Sequence, residues 1–298
     1  MSTSPDPQRK EQPSTYFVQD RNNQEELARL TIQDRMITAS MGGVLPEQAD
    51  PSIFHRVLDV ACGTGGWAIE AAQQYPSMSV FGIDISGRMI DYARTQAETA
   101  GVTDRVEFAV IDALLMLEFP PACFDLVNMR CSGSFMRTWD WPKMLSEMQR
   151  VTRRGGVVRL TEPEILHQST SPAHMRLFEM FQCAMYRAGH LFTEHTRGII
   201  DHLPGLLIQH GYKQVQTKEY TLEYRAGTPE GEDYYKDEAY AFRTIRPFLQ
   251  KWGCLSKDYD AIYQQALEEM QQSTFHATWN LRCAWGINAQ TYRIPRRD

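Results

Sequence analysis

Apolar residues recur along this chain with a period that changes from one stretch to the next. From Gln24 to Met41, positions Leu27, Leu30, Ile32, Met36 and Ile37 follow roughly helical spacing, and Gly42-Gly43 supplies a stop. Pro46 and Pro51 then mark a loop. Beyond it, short apolar runs read as buried strands: RVLDV at 56–60, SVFGIDI at 79–85, RVEFAVI at 105–111, FDLVNM at 124–129 and VVRLT at 157–161. Helical stretches separate them, from about Gly66 to Tyr75, from Ser86 as N-cap to Ala100 with Gly101 closing the helix, and from about Trp141 to Thr152. Five strands alternating with helices imply parallel βαβ units with helices on both faces.

After Thr161 the pattern loosens. Pro172 to Ala188 is a Met- and Phe-rich helical stretch, and Glu194 to His210 reads as another. Lys213 to Tyr224 alternates like a strand, Thr228 to Trp252 is helical in places, and Lys257 to Gln271 is an amphipathic helix. Phe275 to Ile287 alternates apolar and polar residues for too long to be a helix face, so it reads as a final strand. The expected organisation is a disordered tail at 1–14, a helical lid at 15–50, an α/β core at 51–165 and a helical cap at 166–212. The last part, 213–298, returns to the core as a β-hairpin carrying a helical insertion at 228–271.

Composition narrows the field of partners. The formal net charge of −6 leaves no evident basic face for duplex phosphates, which makes a nucleic-acid partner unlikely. No run reaches the roughly 18 apolar residues of a membrane span, and the first residues lack the apolar core of a signal peptide. Cys62, Cys123, Cys131, Cys183, Cys254 and Cys283 are far apart and form no CxxC pair. They are expected as separate reduced thiols in a cytoplasmic protein. Histidines and acids lack ligand spacing, so no metal is expected.

The chemistry concentrates at Asp59-Val60-Ala61-Cys62-Gly63-Thr64-Gly65-Gly66, where the first strand turns into a helix. Glycines there let the backbone approach a ligand closely. Gly63 and Gly65, with Ala68, also satisfy the dinucleotide fingerprint, so the turn alone leaves NAD open. The acids around it discriminate. Asp84 ends the second strand, where a carboxylate accepts both ribose hydroxyls, and Asp112 ends the third, followed by the small Ala113. Asp59 precedes the glycines, where it suits a cationic amino-acid moiety. An extra acid would repel a pyrophosphate, so the sign favours a sulfonium methyl donor over NAD.

VLDVACGTGGWAIEAA, VFGIDIS, VEFAVIDAL, FDLVNMR and RVTRRGGVVRLTEPE, in this order, resemble the motifs of class I S-adenosylmethionine-dependent methyltransferases. The likeness covers about residues 54 to 164. It implies a doubly wound, Rossmann-like sheet of seven mostly parallel strands, closed by an antiparallel hairpin. It further implies that Asp59, Cys62, Gly63 and Gly65 line the methionine end, that Asp84 holds the ribose with Ile85 and Met89 beside the adenine, and that Asp112 and Ala113 hold the adenine edge. Asn128, ending the fourth strand, would face the sulfonium. Asn128-Met129-Arg130 departs from the Asn/Asp-Pro-Pro-aromatic motif of DNA and glutamine N-methyltransferases, which disfavours those substrates. Tyr16, Glu26-Leu27-Ala28-Arg29-Leu30 and Gln33 resemble the start of secondary-metabolism methyltransferases of the regulator-like group, implying that Tyr16 and the first helix form a lid over the cofactor.

Methyl transfer from an activated donor asks mainly for alignment, so catalytic residues are hard to read. Three candidates stand out. His167 follows the fifth strand, either as a base or as a surface histidine of a loop. Glu162 either contacts substrate or sits as a loop carboxylate in water. Arg130 either binds an acidic substrate or pairs with Glu162 or Glu164. The stripe His174, Met175, Phe178, Phe181, Met185 is either core or the wall of an apolar pocket. The expected function is methyl transfer to a small, apolar or aromatic molecule at oxygen, nitrogen or carbon. The alternatives are a cofactor-binding regulatory protein with little transferase activity and a protein or RNA methyltransferase.

Overall fold

The apolar runs become the centre of a sheet. In a computed structural model, which describes residues 16–18, 24–194 and 197–291, β1 (Arg56–Val60), β2 (Ser79–Asp84), β3 (Val106–Val110), β4 (Phe124–Arg130) and β5 (Thr152–Pro163) pair in parallel in the order β3-β2-β1-β4-β5. The expected tail at 1–14 and His195 lie outside the described residues. Val57, Leu58, Val60, Leu126, Val127 and Met129 are wholly buried, as strands covered on both faces require. The cover comes from α2 (Gly66–Gln74), α3 (Gly87–Ala100) and α4 (Trp141–Val151). Ser86 caps α3 by accepting from the Met89 amide, and Gly101 ends that helix in the left-handed conformation.

β7 (Lys213–Arg225) and β8 (His276–Ile287) complete the sheet, with β8 antiparallel to both β5 and β7. A two-residue strand, β6 (Gln168–Ser169), pairs with Thr278 and Ala277 and brings the sheet to eight strands among the described residues, where seven were expected. It takes up the edge of β8 beyond Pro163, where β5 ends.

The cap contains α5 (Pro172–Arg187) and α6 (Leu203–Gln209), the latter starting well after the expected Glu194 because Pro204 suits only its first turn. The insertion between β7 and β8 folds as α7 (Pro229–Thr244), α8 (Arg246–Lys251) and α9 (Tyr259–Met270). The first helix, α1 (Gln24–Met41), runs against α7 and is tied to it by Arg29–Asp237, Arg35–Asp233 and Glu25–Arg243 ion pairs.

One expectation about the thiols is overturned. Cys183 of α5 is bonded to Cys254 just after α8, while Cys62, Cys123, Cys131 and Cys283 are free. The two partners are 71 residues apart and come within 6.1 Å at Cα only because cap and insertion pack together. No sequence spacing announces such a pair. None of the described helices is long and apolar enough to cross a membrane.

Candidate cofactor and acceptor site

The carboxyl ends of β1 to β5 open on one cavity of about 470 Å³ that runs from the glycine turn to the cap. At its floor the chain leaves β1 through Ala61, at φ 56°, and Cys131 leaves β4 at φ 53°. Both line the cavity, and both hold a left-handed conformation that a side chain disfavours by roughly 1–2 kcal/mol. Gly65, at φ 78°, has no alternative: a Cβ there would meet Phe108 Cζ at 2.6 Å and Ala93 Cβ at 2.8 Å.

Asp84 spans two turns. Its Oδ2 accepts from the Gly63 amide at 3.0 Å and its Oδ1 from the Ser86 amide at 2.8 Å. Asp112 Oδ1 accepts from the Leu114 amide at 2.9 Å. A carboxylate has about four acceptor positions, so each keeps capacity for a ligand. Both line the cavity together with Gly63, Ile85, Met89, Ala113 and Tyr16. The Tyr16 hydroxyl donates to Glu26 Oε1 at 2.5 Å and accepts from Arg29 Nη2 at 3.0 Å, so it is fixed to α1 at the cavity wall.

Four expected cofactor residues do not line the cavity. Cys62 and Gly65 build the turn from beneath, the Cys62 thiol lying against Gly82, where burial pushes its pKa up. Asn128 does not end its strand, because β4 continues to Arg130. Its buried side chain instead joins a polar ladder across the sheet. Asn128 Nδ2 donates to Asp59 Oδ1 at 2.8 Å, Arg159 Nη1 donates to Asn128 Oδ1 at 2.8 Å, and Arg159 Nε donates to Glu47 Oε1 at 2.7 Å. Asp59, Asn128 and Arg159 are register partners on β1, β4 and β5, which places their side chains on one face. Burial raises Asp59 to about 7, against the pull of Arg130 and Asn128.

At the acceptor end, none of the three catalytic candidates sits where its non-functional alternative would put it. Glu162 is no loop carboxylate in water. It lies in β5, 1% exposed, and accepts from the Ser132 amide at 2.7 Å, the Ser132 hydroxyl and the Gly133 amide at 2.9 Å. Burial raises it to about 7. Arg130 pairs with Asp34 of α1 and donates to Thr38 Oγ1 at 3.1 Å, rather than reaching Glu162 or Glu164. Glu164 is engaged by Arg197 at 3.1 Å.

His167 is not on the surface. It is 4% exposed, with ring centroids of Phe178 at 4.0 Å and Trp279 at 4.6 Å, and its Nδ1 lies 2.6 Å from the Tyr234 hydroxyl. Burial drives its pKa well below the usual imidazole value, so it is neutral at neutral pH. From the stripe on α5, Phe178, Phe181 and Met185 line the cavity, whereas His174 and Met175 do not. Opposite them α7 contributes Asp237, Glu238, Ala241 and Phe242.

Residues 57–156 match a family model described as a methyltransferase domain. Residues 57–156 form a methyltransferase domain of the class I S-adenosylmethionine-dependent kind. Demethylmenaquinone methyltransferase of Deinococcus radiodurans is 36% identical over 149 residues, covering 50% of this chain and 58% of that protein. Geranyl diphosphate 2-C-methyltransferase of Saccharopolyspora erythraea is 33% identical over 134 residues, 44% of this chain and 42% of that protein. The chain thus spans about half the length of these curated relatives. A putative methyltransferase from Bacillus halodurans C-125 shares the fold at 19% identity, with a TM-score of 0.53 over 85% of this chain and 100% of that one.

The methyltransferase-domain match stops at residue 156, before Glu162, His167 and Glu238. Sequence reasoning also missed Asp34, Glu47, Arg159, Asp237 and Glu238. For Arg159 a signal existed: an arginine inside the apolar run VVRLT demands a buried acidic partner. Asp237 and Glu238 sit in a charged stretch, where nothing in the residue pattern separates a cavity wall from a solvated face.

Proposed function

We propose that the chain transfers a methyl group from S-adenosylmethionine to a small, apolar or aromatic molecule enclosed between cap, insertion and α1. One observation carries this reading: a single cavity joins the glycine turn and the carboxylates Asp84 and Asp112 to a chamber walled by Phe178, Phe181, Met185, Phe242 and Trp279. Asp84 would accept the ribose hydroxyls, Asp112 the adenine amine, and Ile85, Met89 and Ala113 would flank the adenine ring. The methionine end would lie over Gly63. The role first expected of Asn128 passes to the end of β4, where Arg130 and Cys131 face the cavity.

When bound, the cofactor supplies an already activated methyl group. The chain's own task is then alignment and exclusion of water, and the enclosed apolar chamber suits both. Glu162 would act as a positioning residue, because its three hydrogen bonds fix the Ser132–Gly133 turn beside Cys131. The acidic balance and the enclosure both favour a small molecule over a nucleic acid or a protein surface.

Calorimetric titration with S-adenosylhomocysteine, using NADH as control, tests the reading. One-site binding of the former alone is expected. Binding of NADH alone, or of neither, would overturn it. Release of S-adenosylhomocysteine during incubation with a library of small phenols, amines and lipids would then separate a transferase from a protein that only binds the cofactor.

A further inference from the structure

Two neighbouring acids on α7 have different fates. Asp237 is taken by α1, accepting from Arg29 Nη1 at 3.2 Å and from Gln33 Nε2 at 3.3 Å. Successive helical residues point about 100° apart, and Glu238 turns into the chamber instead, where it lines the cavity at 4% exposure. Phe178, Phe242 and Trp279 line the same chamber. The nearest cationic or imidazole groups are His167 Nδ1 at 3.3 Å and His174 Nε2 at 3.8 Å. His167 Nδ1 is already engaged by Tyr234 at 2.6 Å, and His174 Nε2 has no hydrogen-bond partner among the described residues.

A carboxyl sunk among aromatic rings and held only at ion-pair distance is costly unless something completes its hydrogen bonds. We propose that Glu238, backed by His167, is the polar anchor of the acceptor chamber and selects an apolar or aromatic molecule that carries a neutral hydroxyl group. This rests on the transferase reading above and specifies its acceptor. Burial raises Glu238 to about 8, against the pull of Arg29, and lowers His167, while Arg29 itself is taken by Glu26 and Asp237, so the chamber offers an ammonium or a carboxylate no strong charge to pair with. A hydroxyl both donates and accepts, which matches a protonated carboxyl beside an imidazole. The anchor lies with α7 and the segment after β5, whereas the cofactor's reacting end would lie at the end of β4. The anchored hydroxyl therefore orients the acceptor.

The test compares 2-naphthol with naphthalene, and 4-phenylphenol with biphenyl, on the full chain saturated with S-adenosylhomocysteine at pH 7. At least one phenol should bind about tenfold or more tightly than its parent hydrocarbon. Glu238→Met, close in volume and apolar, should erase that preference while leaving S-adenosylhomocysteine affinity unchanged and the thermal midpoint no lower. Glu238→Gln, which keeps both a donor and an acceptor, should retain it. Failure of both phenols to bind, equal binding of the hydrocarbons, or a preference that persists in Glu238→Met would each overturn the anchor. If S-adenosylhomocysteine itself fails to bind, the transferase reading falls, and the phenol comparison on the free chain still judges the anchor.

Discussion

The two ends of the cavity are assembled from opposite kinds of sequence. The cofactor end comes from the loops after β1, β2 and β3, all between Ala61 and Ala113, and its polar contacts are mostly between a carboxylate and a nearby backbone amide. The acceptor end draws on α1, the segment after β5, α5, α7 and β8, and the Arg29–Asp237 bond in its wall joins residues 208 apart. The first is fixed by short-range chemistry that any fold with this turn must repeat. The second exists only once distant segments have docked.

The largest expected effect comes from beneath the cofactor end. Arg159→Met strands Glu47, whose carboxylate is wholly buried, and should cost about 3–5 kcal/mol in denaturant unfolding. Restoring much of that loss in the double variant Arg159→Met, Glu47→Gln would confirm that a stranded charge is the cause. No loss in the single variant would mean that the ladder is not buried as described.

Cys254→Ser should act only on the acceptor end. In oxidising buffer it should lower stability by about 2–4 kcal/mol, and in reductant it should match the parent chain. An equal effect in both buffers would remove the disulfide from the description. Cofactor affinity should not change in either.

Asp84→Ala should reverse that pattern. S-adenosylhomocysteine affinity is expected to fall by about 100-fold, roughly 2–3 kcal/mol, in calorimetric titration. The fold should survive, because water reaches this half-buried site and can serve the Gly63 and Ser86 amides. Unchanged affinity would break the assignment of the ribose site.

The gentlest test is pH. Burial holds Asp59, Glu162 and Asp237 at about 7 and Glu238 at about 8 in the folded chain. All four ionise near 4 when unfolded. Between those limits the folded chain binds more protons, so stability falls as pH rises toward 8, and above it the thiols of Cys62, Cys131 and Cys283, pushed up by burial, continue the fall. Below about 6.5, buried His167, His174 and His190 act in the opposite sense, since their folded values are depressed. The carboxyl effect is therefore read most directly from pH 7 to 8, at on the order of 1 kcal/mol per pH unit for each proton released. A thermal midpoint that rises over that interval would contradict these environments.

The same division governs what the residues alone disclosed. The alternation of strands and helices and the glycine turn are local patterns, and the structure places each where its period or spacing says; Asp84 ends β2 as expected, and Asp112 lies two residues past the end of β3. Lys213 and Phe275 mark the two late strands to within a residue or so, because strict alternation over a dozen positions has no helical counterpart. Asn128 misled because a strand's end is set by its neighbours' length, and β5 is long enough to hold β4 in register through Arg130. His167, Glu162 and Arg130 were recognised as residues of interest, yet their partners Tyr234, Ser132 and Asp34 lie on other elements. Those pairings are tertiary, and no window of sequence contains both members.

β8 also bears on the order of assembly. It is the last strand along the chain, yet it lies inside the sheet and forms the ladder to both β5 and β7. The parallel half can be zipped from neighbouring βαβ units, each closing a short loop. The Thr161–Cys283 pairing must instead close one of well over a hundred residues, which costs more entropy and slows the search. Until β8 arrives, β5 presents an open edge, the kind of surface through which newly made chains stick to one another. On loop-closure entropy alone, the acceptor chamber is expected to assemble after the parallel half of the sheet, so shielding the β5 edge during folding should protect that chamber first.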